Sequence, residues 1–240
     1  MRGLNPMLRR IEPEWLDALP PGDRDAMNSR RDLRRINALM RNAETMAGIL
    51  HGAAVHGQAC RLAEIGAGDG KFLLTVARRL ARRPGAGAAA REAVLVDRQF
   101  LLRNDTVDRF AQLRWTVRAI QSDVMDYLAD EVDPVDTVVA NLFLHHFSTE
   151  QLRQMLHAAS QLASLFIAIE PKRSRLVWLC THCLCLIGCN AVTRHDAPIS
   201  VRAGFGASEL SQLWPASPNW RLAERSSGVF SHLFVARRIS

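Results

Sequence analysis

The run Arg61-Leu-Ala-Glu-Ile-Gly-Ala-Gly-Asp-Gly-Lys71 constrains this chain more than any other segment. A short apolar strand meets a turn with glycine at 66, 68 and 70, and the amphipathic stretch Phe72–Arg82 follows as a helix. Residues without a Cβ let the backbone reverse sharply and approach a ligand closely. A dinucleotide turn would read G-x-G-x-x-G, with a diphosphate on the helix N-terminus. Here Lys71 stands where the third glycine belongs, and Asp69 places a carboxylate where two phosphate charges would approach. The pattern is instead acidic-x-G-x-G-x-G, from Glu64 to Gly70, and it suits a ligand that carries positive charge.

The remaining elements alternate. Strands are expected near Arg61–Ile65, Ala93–Asp97, Arg114–Ala119, Asp136–Asn141 and Leu165–Glu170, with helices over Phe72–Arg82, Phe100–Gln112 and Thr149–Ala163. Strand and helix alternating through short connections imply a parallel, doubly wound α/β sheet. Trp220–Glu224 and Gly228–Ala236, joined by Arg225-Ser-Ser-Gly228, read as a closing antiparallel hairpin, which makes seven strands. Ahead of the sheet, Glu14–Leu19 and Ser29–Leu50 read as helices separated by Pro20-Pro21-Gly22, the second capped by Asn28 or Ser29. The expected division is an N-terminal helical cap over 1–58 and a main domain over 59–240. Ser208–Trp214 supplies the helix that returns to the hairpin, leaving Pro171–Phe205 as an insertion. With the N-terminal helices it is expected to lie over the carboxyl ends of the strands as a lid, or else to form an edge shield or dimer surface.

Four segments, in order and spacing, make the chain resemble the class I S-adenosylmethionine-dependent methyltransferases. These are Glu64–Gly70, the strand end at Asp97, the stretch around Asp123, and Asp136–Phe147 with its Asn141-Leu-Phe-Leu-His-His-Phe. The resemblance implies S-adenosylmethionine as cofactor, its methionine half wrapped by the turn of Gly66, Ala67, Gly68 and Gly70 beside Glu64. It further implies that Asp97 holds the ribose hydroxyls, with Arg98 beside it, and that Asp123, with Val124, reads the adenine. Asn141, counted with the cofactor-binding residues, could orient the substrate or simply close the strand end. The His-His-Phe segment is similar to that of small-molecule methyltransferases, and a fainter similarity links Ser29–Asn37 and Arg194–Asp196 to bacterial enzymes of aromatic polyketide pathways.

Methyl transfer from a sulfonium is an in-line displacement that needs alignment, exclusion of water and, for an O–H or N–H acceptor, a base. An imidazole titrates in the right range. His146 and His145, just after the fourth strand, lead as candidate bases, and one of two adjacent histidines must face away. His195, between Arg194 and Asp196, is a third, although neighbours in a loop seldom face one another and a salt-bridged surface loop is the competing reading. Arg34, Arg194 and Arg202 could meet an acidic or phenolic acceptor oxygen, and Glu170 could face the pocket or cap it. Cys180, Cys183, Cys185 and Cys189 with His182 match no zinc spacing, so no metal is expected and they read as packing residues of a buried or lid helix.

The formal charge of +7 is carried by arginine, with Lys71 and Lys172 the only lysines, and no aromatic residues are interleaved to stack bases. The longest apolar run, around Leu176–Cys189, is too short to span a bilayer, and the Met1 region with Arg2, Arg9 and Arg10 lacks a signal-peptide core. Expected partners are a small-molecule acceptor and, through the covering segments, a second copy of the chain; membrane and nucleic acid are not expected, and the location is cytoplasmic. The activity expected is methylation of a small aromatic hydroxylated acceptor, at oxygen. The alternatives are an RNA methyltransferase, using the arginine-rich helix, and a cofactor-binding regulatory relative without catalysis.

Overall fold

The computed structural model describes residues 7–53, 60–84, 91–99, 101–130 and 134–239. The expected helix start at Phe100, the end of the expected cap and Arg2 lie outside the described residues. Seven strands, β1 (Cys60–Ile65), β2 (Arg91–Asp97), β3 (Trp115–Gln121), β4 (Thr137–Asn141), β5 (Leu165–Pro171), β6 (Trp220–Ser227) and β7 (Ser231–Arg238), form one sheet. Their order is β3-β2-β1-β4-β5-β7-β6. The first five run parallel, and β7 enters antiparallel between β5 and β6. Strand order therefore reverses between β1 and β4, the position at which doubly wound sheets leave a crevice beyond their carboxyl ends.

Helices cover both faces. On one, α3 (Asn42–Ala53), α4 (Lys71–Ala81) and α5 (Asn104–Gln112) pack Met46, Leu73 and Phe110 against β1, β2 and β5. On the other, α6 (Val124–Ala129), α7 (Thr149–Leu162) and α10 (Glu209–Leu213) pack Tyr127, Met155 and Leu210 with Phe166 and Phe234. Every residue of β5 is buried, as a central strand covered on both sides requires. Burying each large aliphatic side chain contributes about 1.5–3 kcal/mol, so the sheet interior carries the fold's stability.

Local boundaries differ from the sequence expectation where tertiary contacts intervene. α2 runs Arg24–Met40 and is capped by Asp23, which accepts from the backbone of Asp25 and Ala26. Ser29, expected as the cap, is buried mid-helix and bonded by Thr193. Arg41 takes a left-handed conformation, φ 57°, and breaks the expected long helix into α2 and α3. α6, with Asp123 as its cap, escaped notice because six residues give too little periodicity. The hairpin loop is Gly228-Val-Phe230, so β7 starts later than expected, at Ser231.

The insertion is helical, with α8 (Arg175–Thr181), a 3-10 turn (Leu184–Ile187) and α9 (Ala191–Ala203). Pro198 inside α9 hid that helix from a periodicity reading. The cysteines are not uniformly buried as expected: Cys189 is buried, but Cys183 and Cys185 are exposed, because the 3-10 turn carries them outward. α2, α8, α9 and an N-terminal strap ending in α1 (Trp15–Ala18) supply residues to the cavity at the carboxyl ends of the strands. Among the described residues no helix is long and apolar enough to cross a membrane.

Candidate active site

A cavity of about 860 Å³ opens at the carboxyl ends of β1, β2 and β4, within the size range of small-molecule sites. At one end is the glycine turn. Gly66, Gly68 and Gly70 all have positive φ, 68°, 55° and 70°. Their reasons differ. A Cβ on Gly66 would sit 2.2 Å from the Phe143 ring and one on Gly70 would sit 2.7 Å from Leu95, whereas one on Gly68 would meet nothing within 4 Å. Two of the glycines thus permit packing, and Gly68, which lines the cavity, leaves space for a ligand.

Carboxylates surround that space. Asp97 is fixed by the backbone N–H of Gly68 and of Gln99, each donating at 2.8 Å, with both oxygens engaged at the end of β2. Glu64 is 2% exposed, and its Oε2 has no hydrogen-bond partner. Burial, followed by the neighbouring Asp69 and Asp97, pushes its pKa well above the usual carboxylate range. An orphaned buried carboxyl group facing a cavity is what a cationic ligand would satisfy. Asp69 differs from its expected role: Lys71 at 2.9 Å and Arg34 at 3.1 Å neutralise it, so the electrostatic case against a diphosphate passes to Glu64 and Asp97. Ala67, Arg98, Asp123 and Val124 also line the cavity, with Asp123 capping α6 by accepting from the backbone N–H of Met125 at 2.8 Å. Asn141 is held by Asn42 and Asn37 in a triangle of amides, each contact 3.0–3.1 Å.

At the other end, the backbone after β4 turns through Leu142, φ 52°, into a 3-10 turn over Leu144–His146, and Ser148 then opens α7 with a capping box. Glu170, fully buried on β5, clamps this segment by accepting from the backbone N–H of Phe143, Leu144 and His145. It also accepts from His145 Nδ1 at 2.8 Å, so it faces the turn and not the cavity. His145 Nε2 then points at Glu14 Oε1, 3.5 Å away, an ion-pair distance longer than a short hydrogen bond. Burial opposes charge on His145, but the two glutamates outweigh it and raise its pKa to about 9. Glu14 likewise loses to burial and gains more from His145, falling to about 2.

His146 is the complementary case. Its Nδ1 lies 3.4 Å from Asp17, and its ring lies against that of His145 with centroids 4.2 Å apart. Burial, then the charge on His145, depress its pKa, so it is the neutral imidazole of the pair. Asp17 is raised by burial first. Glu14, His145 and His146 bring ligand atoms within 4.8 Å of one another, a set that could hold a cation, and a charged His145 offsets only one of the two glutamates around it. Phe143, Phe147, Leu33 and Ile36 make the rest of this end apolar.

Glu14 and Asp17, which sequence reasoning missed, arrive on the N-terminal strap. Their i, i+3 spacing was the available signal, placing two acids on one face of a short helix. The strap is fastened by Asp196, which accepts from the backbone of Trp15 and Leu16 at 2.9 and 3.0 Å, and by Arg9, which donates to Ala203 and Phe147. His195 bonds Asp196 and stacks on Trp15 with centroids 3.7 Å apart. Neither His195 nor Arg194 lines the cavity, and Arg202 pairs with Glu12 at 2.9 Å, because the segment is a helix packed on the strap and not a loop over the site. The arginine-rich helix is also largely engaged. Arg30 donates to Pro21 and Gln99, Arg34 pairs with Asp69, and Arg35 pairs with Asp32 and donates to Ile187.

No protein-family model matches the sequence, and no curated protein matches it. Solved structures do. BamL, the plantazolicin methyltransferase, in complex with a triazolic desmethyl analog and S-adenosylhomocysteine, superposes with a TM-score of 0.63 at 9% identity, over 94% of this chain and 93% of that one. A putative O-methyltransferase of Nostoc punctiforme gives 0.57 at 13% identity, and an O-methyltransferase family protein of Burkholderia thailandensis gives 0.53 at 17%. This chain spans 60% of the length of each of those two, with 88% and 90% of itself covered. The fold is that of the class I S-adenosylmethionine-dependent methyltransferases, and the likeness reaches no further than the fold.

Proposed function

We propose that the chain transfers the methyl group of S-adenosylmethionine to a hydroxyl oxygen of a small aromatic acceptor. When bound, the cofactor supplies an electrophilic methyl on a sulfonium that loses its charge in the transfer. Glu64, orphaned beside the open face of Gly68, fits the cationic amino-acid half, and Asp97, held rigid by two backbone donors, fits a ribose diol. Asp123 and Val124, on the cavity lining, are the residues that would meet the adenine. BamL, with S-adenosylhomocysteine in its structure, supports the same cofactor here.

The observation that carries the acceptor assignment is the pair of unlike histidines. His145 is held charged between Glu170 and Glu14, while His146 stays neutral on the cavity wall and can take the acceptor's proton. A phenol suits this end: its hydroxyl needs a base near neutral pH, and its ring meets Phe143 and Phe147, whereas the acids Glu14 and Asp17 disfavour a carboxylate acceptor. Apolar contact therefore draws the acceptor in, while Arg34, which also lines the cavity, pairs with Asp69. Calorimetry with S-adenosylhomocysteine, followed by turnover on a panel of phenols, tests the reading. Binding with turnover supports it; no binding, or binding of NAD in its place, overturns it.

A further inference from the structure

We propose that the lid docks on an anionic bilayer surface, so that the cavity takes its acceptor from the lipid phase. The lid carries only Arg175 as a charged residue between Arg175 and Cys189, yet it is not buried. Leu176, Leu179 and Leu186 are 61%, 60% and 82% exposed. Val177, Leu184 and Ile187 of the same segment line the cavity. One short stretch is thus apolar toward both solvent and site, and contiguous exposed apolar surface of this kind marks an interaction face.

Charge selects the occupant. Arg35 donates to the Ile187 carbonyl at 2.6 Å, which places the basic side of α2 against the lid, with the exposed Arg31 one helical turn away. Arg175 begins α8, and Arg194 lies in the first turn of α9. Arg31, Arg175 and Arg194 pair with no carboxylate among the described residues, and all three are exposed. A second copy meeting this face about a two-fold axis would bring the arginines against themselves. A layer of anionic headgroups complements them while the leucines enter the acyl boundary, the arrangement of a surface-lying apolar element with a basic rim. The run that is too short to cross a bilayer is long enough to rest in one. The supply of acceptor from lipid rests on the methyl-transfer reading, whereas the docking does not.

Flotation with the full chain on phosphatidylcholine vesicles, with and without phosphatidylglycerol, tests it. Binding to the anionic vesicles is expected to exceed binding to neutral ones by roughly tenfold, and to fall as salt screens the arginines. The triple variant Leu176→Ser, Leu179→Ser, Leu186→Ser should lose at least tenfold of that binding, and Leu186→Ser alone should lose part of it. Arg31→Gln with Arg175→Gln should also weaken it and flatten its salt dependence. Unchanged S-adenosylhomocysteine binding by the triple variant shows that it is folded. Equal flotation of wild type and triple variant, or none by either, overturns the proposal, as does light scattering that shows a dimer which the triple variant dissociates. A chain that floats but methylates no phenol leaves the docking standing and removes the acceptor reading instead.

Discussion

His145 Nδ1 lies 2.8 Å from Glu170 Oε2, so a carboxylate buried on β5 sets the direction of a ring that follows β4. The other ring nitrogen is thereby aimed at Glu14 on the strap, and His146 is left as the neutral partner that faces the cavity.

Replacing His146 by Ala should lower kcat by about 10²–10⁴, the usual contribution of a positioned base, with S-adenosylhomocysteine affinity held. Because burial and His145 depress its pKa, His146 loses its proton below the ordinary imidazole value of 6.5. The rise of kcat/KM with pH should therefore be complete before neutrality. A limb centred above pH 7 would assign the base to another group.

The strap should respond to pH. His145 is raised from 6.5 to about 9, so its contribution is fully present below pH 6.5 and is lost as pH climbs through 9. Glu14 is lowered from 4.5 to about 2, so its contribution is present above pH 4.5 and is lost as pH falls through 2. The Glu14–His145 ion pair enters both and is complete between pH 4.5 and 6.5, with Glu170 adding to the shift of His145. The thermal midpoint should decline from pH 6.5 to 9, and Glu14→Gln should cost about 1–3 kcal/mol near pH 6 while shrinking that decline. A parallel profile in the variant would detach Glu14 from it.

Glu64→Gln should separate stability from binding. A carboxyl group whose pKa is raised by burial costs stability once pH exceeds its unfolded value near 4.5. The amide removes that cost, so the ligand-free variant should melt no lower than wild type at pH 7. Cofactor affinity should drop by roughly tenfold or more, since a charge partner worth about 1.4 kcal/mol is lost. Tight binding by the variant would exclude Glu64 from the ammonium site.

Gly66 and Gly68 should fail differently. In Gly66→Ala the methyl group meets the Phe143 ring and positive φ adds about 1–2 kcal/mol of strain, so thermal stability should fall sharply. In Gly68→Ala only the strain applies, and the methyl group enters open space, so calorimetry should show lost cofactor affinity with a smaller melting shift. Equal melting losses with cofactor affinity intact would place the ligand elsewhere.

The sheet, its doubly wound order and the closing hairpin were legible in the sequence, because alternating apolar segments and punctuating turns are local signals. So was the glycine turn, down to the acids at 64 and 97. Less was legible where a residue's role depends on distant partners. Arg194-His-Asp196 reads as a polar loop, yet Asp196 caps α1 and His195 carries Trp15; Glu170 reads as a strand end, yet it organises the segment after β4.

Sequence by itself determined which segments become strands, that the glycine turn at 66–70 reverses the chain and which acids stand at the strand ends, since these follow from side-chain periodicity and backbone sterics within a few residues. Only the tertiary structure decided that Glu14 and Glu170 enclose His145, that His146 is the neutral ring, and that Lys71 and Arg34 neutralise Asp69. Protonation depends on burial and on charges a few ångströms away, and those neighbours are brought together by folding and not by order in the chain.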